Sequence, residues 1–304
     1  MEKTKTASGS KISWLAMPGY RPETWNPLIG CSPVSPGCRN CWAAREEDTR
    51  FAHLRRCGRD RRPLEEEYFW RGPVVQPDKE LEKPLHWRDP RAVFVCPRSD
   101  LFHNFVPDDF AEYLWGIMRT CSRHRFVVLT KRPRVLRRIV GEFVESRYAG
   151  RVEDYLADFA HVWLMVSAED QQRADERVPV LLDTPAAVRG VSIEPMLGPV
   201  DVTRWCEGTP ALNWVIVGAE KLAGGRPGRS CDPEWIYALC RRFVVSAITA
   251  AVFVKQMEIH GRVTEDPSRF PSWARVREFP KIKTGLFGRP ECRAANTNQK
   301  GSRA

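Results

Sequence analysis

Several features that would place a protein in a specialised class are missing from this chain of 304 residues. It contains no run of eighteen or more apolar residues, which excludes an ordinary transmembrane helix. Residues 1–6 include no apolar signal core, so we expect a cytoplasmic protein. Only six histidines are present and none forms an H-x3-H pair, so a histidine-based metal site has no support.

Acidic residues are also fewer than basic ones. The chain has 38 Asp and Glu residues and 48 Lys and Arg residues, which gives a net charge of +10. This excess favours a polyanionic partner, and nucleic acid or a nucleotide is the first expectation. A solvated basic face without a specific partner explains the same charge. The basic residues concentrate in two groups: Arg50, Arg55, Arg56, Arg59, Arg61 and Arg62, and then Lys131, Arg132, Arg134, Arg137 and Arg138.

What the chain does have is a segment with three closely spaced cysteines. Cys31, Cys38 and Cys41 follow a C-x6-C-x2-C spacing within residues 30–42. Two prolines stiffen this segment, and two glycines permit the turns that would bring three thiolates together. In a reducing compartment the ten cysteines of the chain are free thiols or metal ligands rather than a disulfide framework.

Three interpretations of these cysteines are open. A structural zinc ion needs four ligands, and the nearest candidates for the fourth are His53 and Cys57. A 4Fe–4S cluster held by three cysteines keeps one iron open for a small molecule, as in enzymes that use S-adenosylmethionine (SAM) for radical chemistry. The cysteines are otherwise small buried hydrophobic residues.

Short apolar runs alternate with helical patterns over most of the chain. Predicted strands cover residues 92–96, 126–129, 162–166, 188–193, 214–217 and 251–254, after an extended stretch at 24–29. Predicted helices cover 42–56, 108–118, 135–143 and 233–245. This alternation predicts an α/β fold with a parallel sheet of about seven strands, as a partial or closed TIM-like β/α barrel. We expect one barrel domain at 21–283 with an irregular insertion at 57–92, a flexible arm at 1–20 and a disordered tail at 284–304.

Polar residues follow the ends of successive predicted strands. Barrels build active sites from such residues at the C-terminal ends of their strands, although any one of them is equally explained as a helix cap. The residues are Ser99, Asp100, Thr130, Lys131, Arg132, Ser167, Glu169, Asp170, Glu194, Glu220, Lys255 and Gln256.

Seven segments, in order, resemble a family of phage and prophage proteins with a three-cysteine motif. They are residues 24–27, 30–41, 99–103, 129–133, 192–199, 215–220 and 253–256. The layout of that family resembles the radical SAM superfamily, in which a cysteine loop follows the first strand of a partial β/α barrel. The chain departs from the commonest radical SAM spacing, C-x3-C-x2-C, by its longer first gap. It also has Trp42 where the family has Tyr, and Gly-Ala-Glu-Lys at 218–221 where the family has Gly-Gly-Glu-Ser.

The resemblance implies a radical SAM enzyme that modifies, rearranges or repairs a nucleic-acid base or nucleotide. The three cysteines would hold a 4Fe–4S cluster, which receives electrons from a donor. The residues implied for SAM are Ser99 and Asp100 (its amino group), Ser167 and Glu169 (its ribose hydroxyls), and Lys131 and Arg132 (its carboxylate, or a phosphate). The implied catalytic residues on the substrate side are Glu194, Glu220 and Lys255.

Two other functions fit parts of the sequence. A zinc-stapled nucleic-acid-binding or regulatory protein without catalysis explains the charge and the cysteines, but not the polar residues at the strand ends. A zinc or iron hydrolase with Glu194 or Glu220 as general base is disfavoured, because three thiolates quench the Lewis acidity that hydrolysis needs.

Overall fold

The computed structural model describes residues 10–49 and 72–281, with the backbone alone at 47–49. Several predictions lie outside the described residues. They concern residues 1–9 of the arm, 50–56 of the first helix, 57–71 of the insertion, the first basic group and the tail at 284–304.

Ten strands run through the described part of the chain. They are β1 (Arg21–Trp25), β2 (Leu28–Ile29), β3 (Val74–Val75), β4 (Arg91–Val95), β5 (Arg125–Thr130), β6 (Val162–Ser167), β7 (Val188–Ile193), β8 (Trp214–Gly218), β9 (Ala251–Ile259) and β10 (Arg262–Thr264). Eight of them form one sheet in the order β1-β4-β5-β6-β7-β8-β9-β10, while β2 and β3 pair as a separate antiparallel ribbon.

The large sheet curls into a half-barrel that is flanked by helices. Seven of its strands, from β1 to β9 in the sheet order, are parallel, and only β10 is antiparallel. The sheet is compatible with the predicted partial barrel. It is not the closed alternative, because β1 and β10 end the order of this sheet and do not pair with each other.

Eight α-helices occupy the described residues. They are α1 (Trp42–Thr49), α2 (Asp78–Leu81), α3 (Lys83–His86), α4 (Asp108–Thr120), α5 (Pro133–Tyr148), α6 (Val152–Phe159), α7 (Gln171–Leu182) and α8 (Pro233–Val245). In this part of the chain, no helix has the length and apolarity needed to cross a bilayer. Asp170, predicted at a strand end, is the N-cap of α7 and accepts a 2.9 Å hydrogen bond from Arg173 N.

Two hydrophobic cores lie on opposite faces of the sheet, because successive side chains of a strand point to opposite sides. On β5, Phe126 and Val128 pack under the helices, while Val127 belongs to the second core. The second core also receives residues from the predicted N-terminal arm. Within that arm, residues 13–15 form a 3₁₀ turn that buries Trp14, whose ring centroid lies 5.9 Å from that of Trp214.

Candidate functional site

The predicted polar residues lie along one edge of the half-barrel, where its parallel strands end. Asp100 follows β4, Arg132 follows β5, Glu169 follows β6 and Glu220 follows β8. Lys255 is an exception, because it lies inside β9, which runs on to form a hairpin with β10. We call this edge the mouth and residues 30–41 the cysteine loop.

The first end of the cysteine loop is held by Arg132. Its Nη2 donates to the carbonyl and the hydroxyl of Ser32, both at 2.9 Å, and its Nη1 donates to Asp100 Oδ2 at 3.1 Å and to Cys31 Sγ at 3.7 Å. Asp100 is buried and also accepts from Thr130 Oγ1 at 2.7 Å. This carboxylate therefore fixes the guanidinium that binds the loop.

Ser99 and Lys131 complete this side of the mouth. The hydroxyl of Ser99 donates to the carbonyl of Gly30, the first residue of the cysteine loop, at 2.6 Å. The backbone N–H of Lys131 donates to Asp100 Oδ2 at 3.1 Å. On the loop itself, Ser32 Oγ lies 2.7 Å from Nε2 of the buried His103.

The middle of the cysteine loop is held by Glu169. Its carboxylate is fully buried, accepts from Gly37 N at 2.8 Å and pairs with Arg177 Nη1 at 3.1 Å. Burial alone raises the pKa of a carboxyl group, yet the Ser35 hydroxyl, the Gly37 N–H and the Arg177 guanidinium together hold the pKa of Glu169 below its usual range. Arg177 also donates to the carbonyl of Ser167 at 2.7 Å, so it joins the end of β6 to the same network.

The last part of the cysteine loop is held by Glu220. Its Oε2 accepts from Asn40 Nδ2 at 3.0 Å and from Arg229 Nε at 2.9 Å, and Arg229 Nη1 donates to the carbonyl of Pro36 at 2.7 Å. Burial opposes the charged form, but hydrogen bonds from Arg229 and Asn40 lower the pKa of Glu220 to about 2. Glu220 is therefore a carboxylate at neutral pH.

Three carboxylates from β4, β6 and β8 thus anchor the cysteine loop, directly or through an arginine. We expect Asp100 and Glu169 to contact SAM and Glu220 to act on the substrate. In this structure each of them also accepts a hydrogen bond from the loop or from an arginine that binds the loop. Sequence reasoning missed Arg177 and Arg229. The available signal for Arg177 was a charged residue inside the apolar stripe of α7, and no signal identifies Arg229 in its glycine-rich loop.

Glu194 and Lys255 form a pair of their own at the mouth. Lys255 Nζ lies 3.0 Å from Glu194 Oε1, and the two side chains are 22% and 14% exposed, respectively. Glu194 Oε1 is buried and has no well-directed hydrogen bond. The structure therefore brings together these two predicted catalytic residues.

The donor set of the cysteine loop suits a soft metal, because three thiols lie on one short segment. Burial, with a smaller contribution from Asp100, raises the pKa of Cys31 to about 11, while Arg132 acts in the opposite direction. Within residues 10–49 and 72–281, no three His, Cys, Asp or Glu side chains are close enough together to hold a metal ion. The residue types are those that a soft metal takes, but the described side chains do not form a metal site in this structure.

The sequence was also compared with known proteins. No curated protein and no solved structure matches it. A family profile described as "Protein of unknown function (DUF5131)" matches residues 9–289, which is nearly the whole chain. The chain therefore belongs to the DUF5131 family.

Proposed function

We propose that the protein is a radical SAM enzyme that acts on a nucleic-acid base or nucleotide. One observation carries the proposal: a loop with three thiols lies at the C-terminal edge of a parallel half-barrel, next to its first strand. This edge is where β/α barrels place their chemistry. The net charge of +10 supports an anionic substrate.

Cys31, Cys38 and Cys41 are the residues proposed to hold a 4Fe–4S cluster. When bound, a cluster of this kind supplies the electron for reductive cleavage of SAM. The protein's own contribution at this point is electrostatic. Burial and Asp100 oppose the Cys31 thiolate that a metal needs, and Arg132, which donates to Cys31 Sγ, partly offsets them.

The remaining mouth residues supply the proposed binding surface for SAM and substrate. Glu194 and Lys255 form an ion pair. When the substrate separates the two side chains, each binds one polar group of it. Lys131 offers a positive charge near Glu169. Asp100, Glu169 and Glu220 already accept hydrogen bonds from the loop or from an arginine that binds it. We therefore propose that their main role is to position the cysteines and that any contact with SAM is a smaller part of it.

The test is anaerobic iron and sulfide analysis with an absorption spectrum, after reconstitution of the full chain. We expect a brown protein with about four irons that dithionite bleaches. Cys38→Ala should lose the iron and the colour. Cys240→Ala is the matched control, because this buried thiol lies on α8, and it should keep both.

The anchoring of the loop also favours a second function, a zinc-stapled nucleic-acid-binding protein, because a structural metal needs a fixed loop. The same measurement separates the two. A colourless protein with one zinc per chain, even after anaerobic reconstitution, would contradict the radical SAM proposal and support the zinc protein. SAM cleavage by the reconstituted protein would then be absent.

A further inference from the structure

A recess of about 200 Å³ lies at the end of the half-barrel opposite the mouth. We call it the basal recess. Arg125 and Trp163 line it from the starts of β5 and β6. The other lining residues come from the segment before β1 and from the chain after β10: Met17, Pro18, Tyr20, Phe279 and Pro280.

The guanidinium of Arg125 lies over two aromatic rings of this recess. Its Cζ lies 4.6 Å from the ring centroid of Trp163 and 5.3 Å from that of Tyr20. Nη2 donates to the hydroxyl of Tyr20 at 3.0 Å. These contacts hold the guanidinium in place and use only one of its three nitrogens for a protein hydrogen bond.

Three nitrogen donors on the residues that line the recess are covered and have no hydrogen-bond partner within the described protein. They are Arg125 Nε, Arg125 Nη1 and Trp163 Nε1. The side chain of Trp163 is only 2% exposed, so bulk water does not satisfy its N–H. A buried donor without a hydrogen bond costs free energy, and three at one place indicate a missing acceptor.

The chemistry of the missing acceptor follows from the lining. None of the seven lining residues is acidic, so the charge of Arg125 is not compensated within the recess. Donors and a positive charge select an anion, while the proline, methionine and aromatic walls select an apolar body. The volume is below the range of drug-sized pockets, so the ligand is small.

We propose that the basal recess binds a small carboxylate with a planar apolar body, separately from the chemistry of the mouth. Arg125 and Thr130 are the first and last residues of β5, so the two sites are roughly 17 Å apart along one strand. A phosphate is disfavoured, because the apolar walls cannot replace the water that its third and fourth oxygens would lose.

The probe for this proposal is benzoate, titrated into the full chain. Equilibrium dialysis gives the affinity, and ¹⁵N-labelled tryptophan places the ligand through the indole N–H signals. Trp163→Phe assigns the signal of Trp163 by its loss. We expect a saturable shift of that signal, and no shift with benzyl alcohol, which has the same ring but lacks the carboxylate.

Arg125→Gln should weaken benzoate binding about tenfold or more, since it removes a charge-assisted hydrogen bond. Arg137→Gln is the matched control, because this exposed arginine lies on α5, and its affinity should equal that of the wild type. Arg125→Lys keeps the charge and serves as the second variant if Arg125→Gln does not fold. It should bind with intermediate affinity, because lysine cannot keep the planar stack.

Three outcomes would overturn the proposal. One is the absence of a saturable shift of the Trp163 signal at tens of millimolar benzoate. The second is equal affinity of the wild type and the folded Arg125 variants. The third is an equal response to benzyl alcohol, which would show an apolar pocket without anion recognition. All three readouts are independent of metal content, so they stand apart from the test of the radical SAM proposal.

Discussion

At the scale of single residues, the cysteine loop depends on close contacts that leave little room. Gly37 donates its N–H to Glu169, and a Cβ built on Gly37 would lie 2.9 Å from Glu169 Cδ. Glu169 cannot move away easily, because it is fully buried and paired with Arg177. Glycine is therefore required at position 37 because a larger side chain would clash with Glu169, and not because of its backbone conformation.

Gly37→Ala should lower the free energy of unfolding by about 1–3 kcal/mol, the usual cost of overpacking. Urea denaturation measures this change. Gly141→Ala is the matched control, because nothing lies within 4 Å of a Cβ at this exposed position of α5. That change should raise the free energy of unfolding by about 0.5–1 kcal/mol. Equal effects of the two substitutions would contradict the contact with Glu169.

The sequence identified Asp100, Glu169 and Glu220 as polar residues at the mouth, because each follows an apolar strand. It could not identify their partners. Gly37 and Glu169 are 132 residues apart, and Asn40 and Glu220 are 180 residues apart. Hydrophobic periodicity reports local structure only, so contacts across such distances require the fold.

At the scale of elements, the strands and the longer helices were predictable and the short or polar ones were not. The predicted helix at 233–245 coincides with α8, since its apolar residues recur at helical spacing. α7 begins with polar residues that hide its buried stripe of Ala174, Val178 and Leu181. The predicted stretch at 24–29 is divided instead, with β1 ending at Trp25 and β2 pairing outside the large sheet.

We expect low pH to break the contact between the cysteine loop and Glu220, the residue that follows β8. The folded-state pKa of Glu220 is about 2 against an ordinary 4.5, so its stabilisation is complete above about pH 5 and is lost as the pH falls toward 2. Glu220→Gln should lower the free energy of unfolding by about 1–3 kcal/mol at pH 7. The difference from the wild type should shrink steadily toward pH 2.

Urea denaturation at several pH values measures this dependence. Glu153→Gln is the control, because this exposed carboxylate lies on α6 and should show no such convergence. The role of the Glu220 carboxylate would be contradicted if the difference in the free energy of unfolding between Glu220→Gln and the wild type stayed constant from pH 7 to pH 2.5.

At the scale of the whole molecule, the excess of positive charge is the main indication of a partner. A nucleic acid bound through its phosphates releases counterions, so its affinity falls steeply with salt concentration. The proposed binding surface is at the mouth, where Lys131 is partly exposed.

We expect single-stranded oligonucleotides to bind at low salt with a steep salt dependence. Lys131→Gln should weaken binding and reduce the slope of log K against log salt by about one. Lys83→Gln on α3 is the matched control, because its side chain is 46% exposed and pairs with Glu80. Fluorescence anisotropy measures the affinity and the salt slope of each variant. Identical slopes for the two variants would place the nucleic acid elsewhere or exclude it.

The anchoring of the cysteine loop also has a consequence for the order in which the protein is made. The thiols precede β4 and every later strand of the large sheet, whereas Arg229 binds the carbonyl of Pro36 from 193 residues further along the chain. A ribosome must therefore finish most of the sheet before the loop gains its last anchor. A nascent or prematurely terminated chain that lacks β8 presents the same three cysteines without that support, so the proposed cluster would meet an unfinished site if it were inserted at this stage.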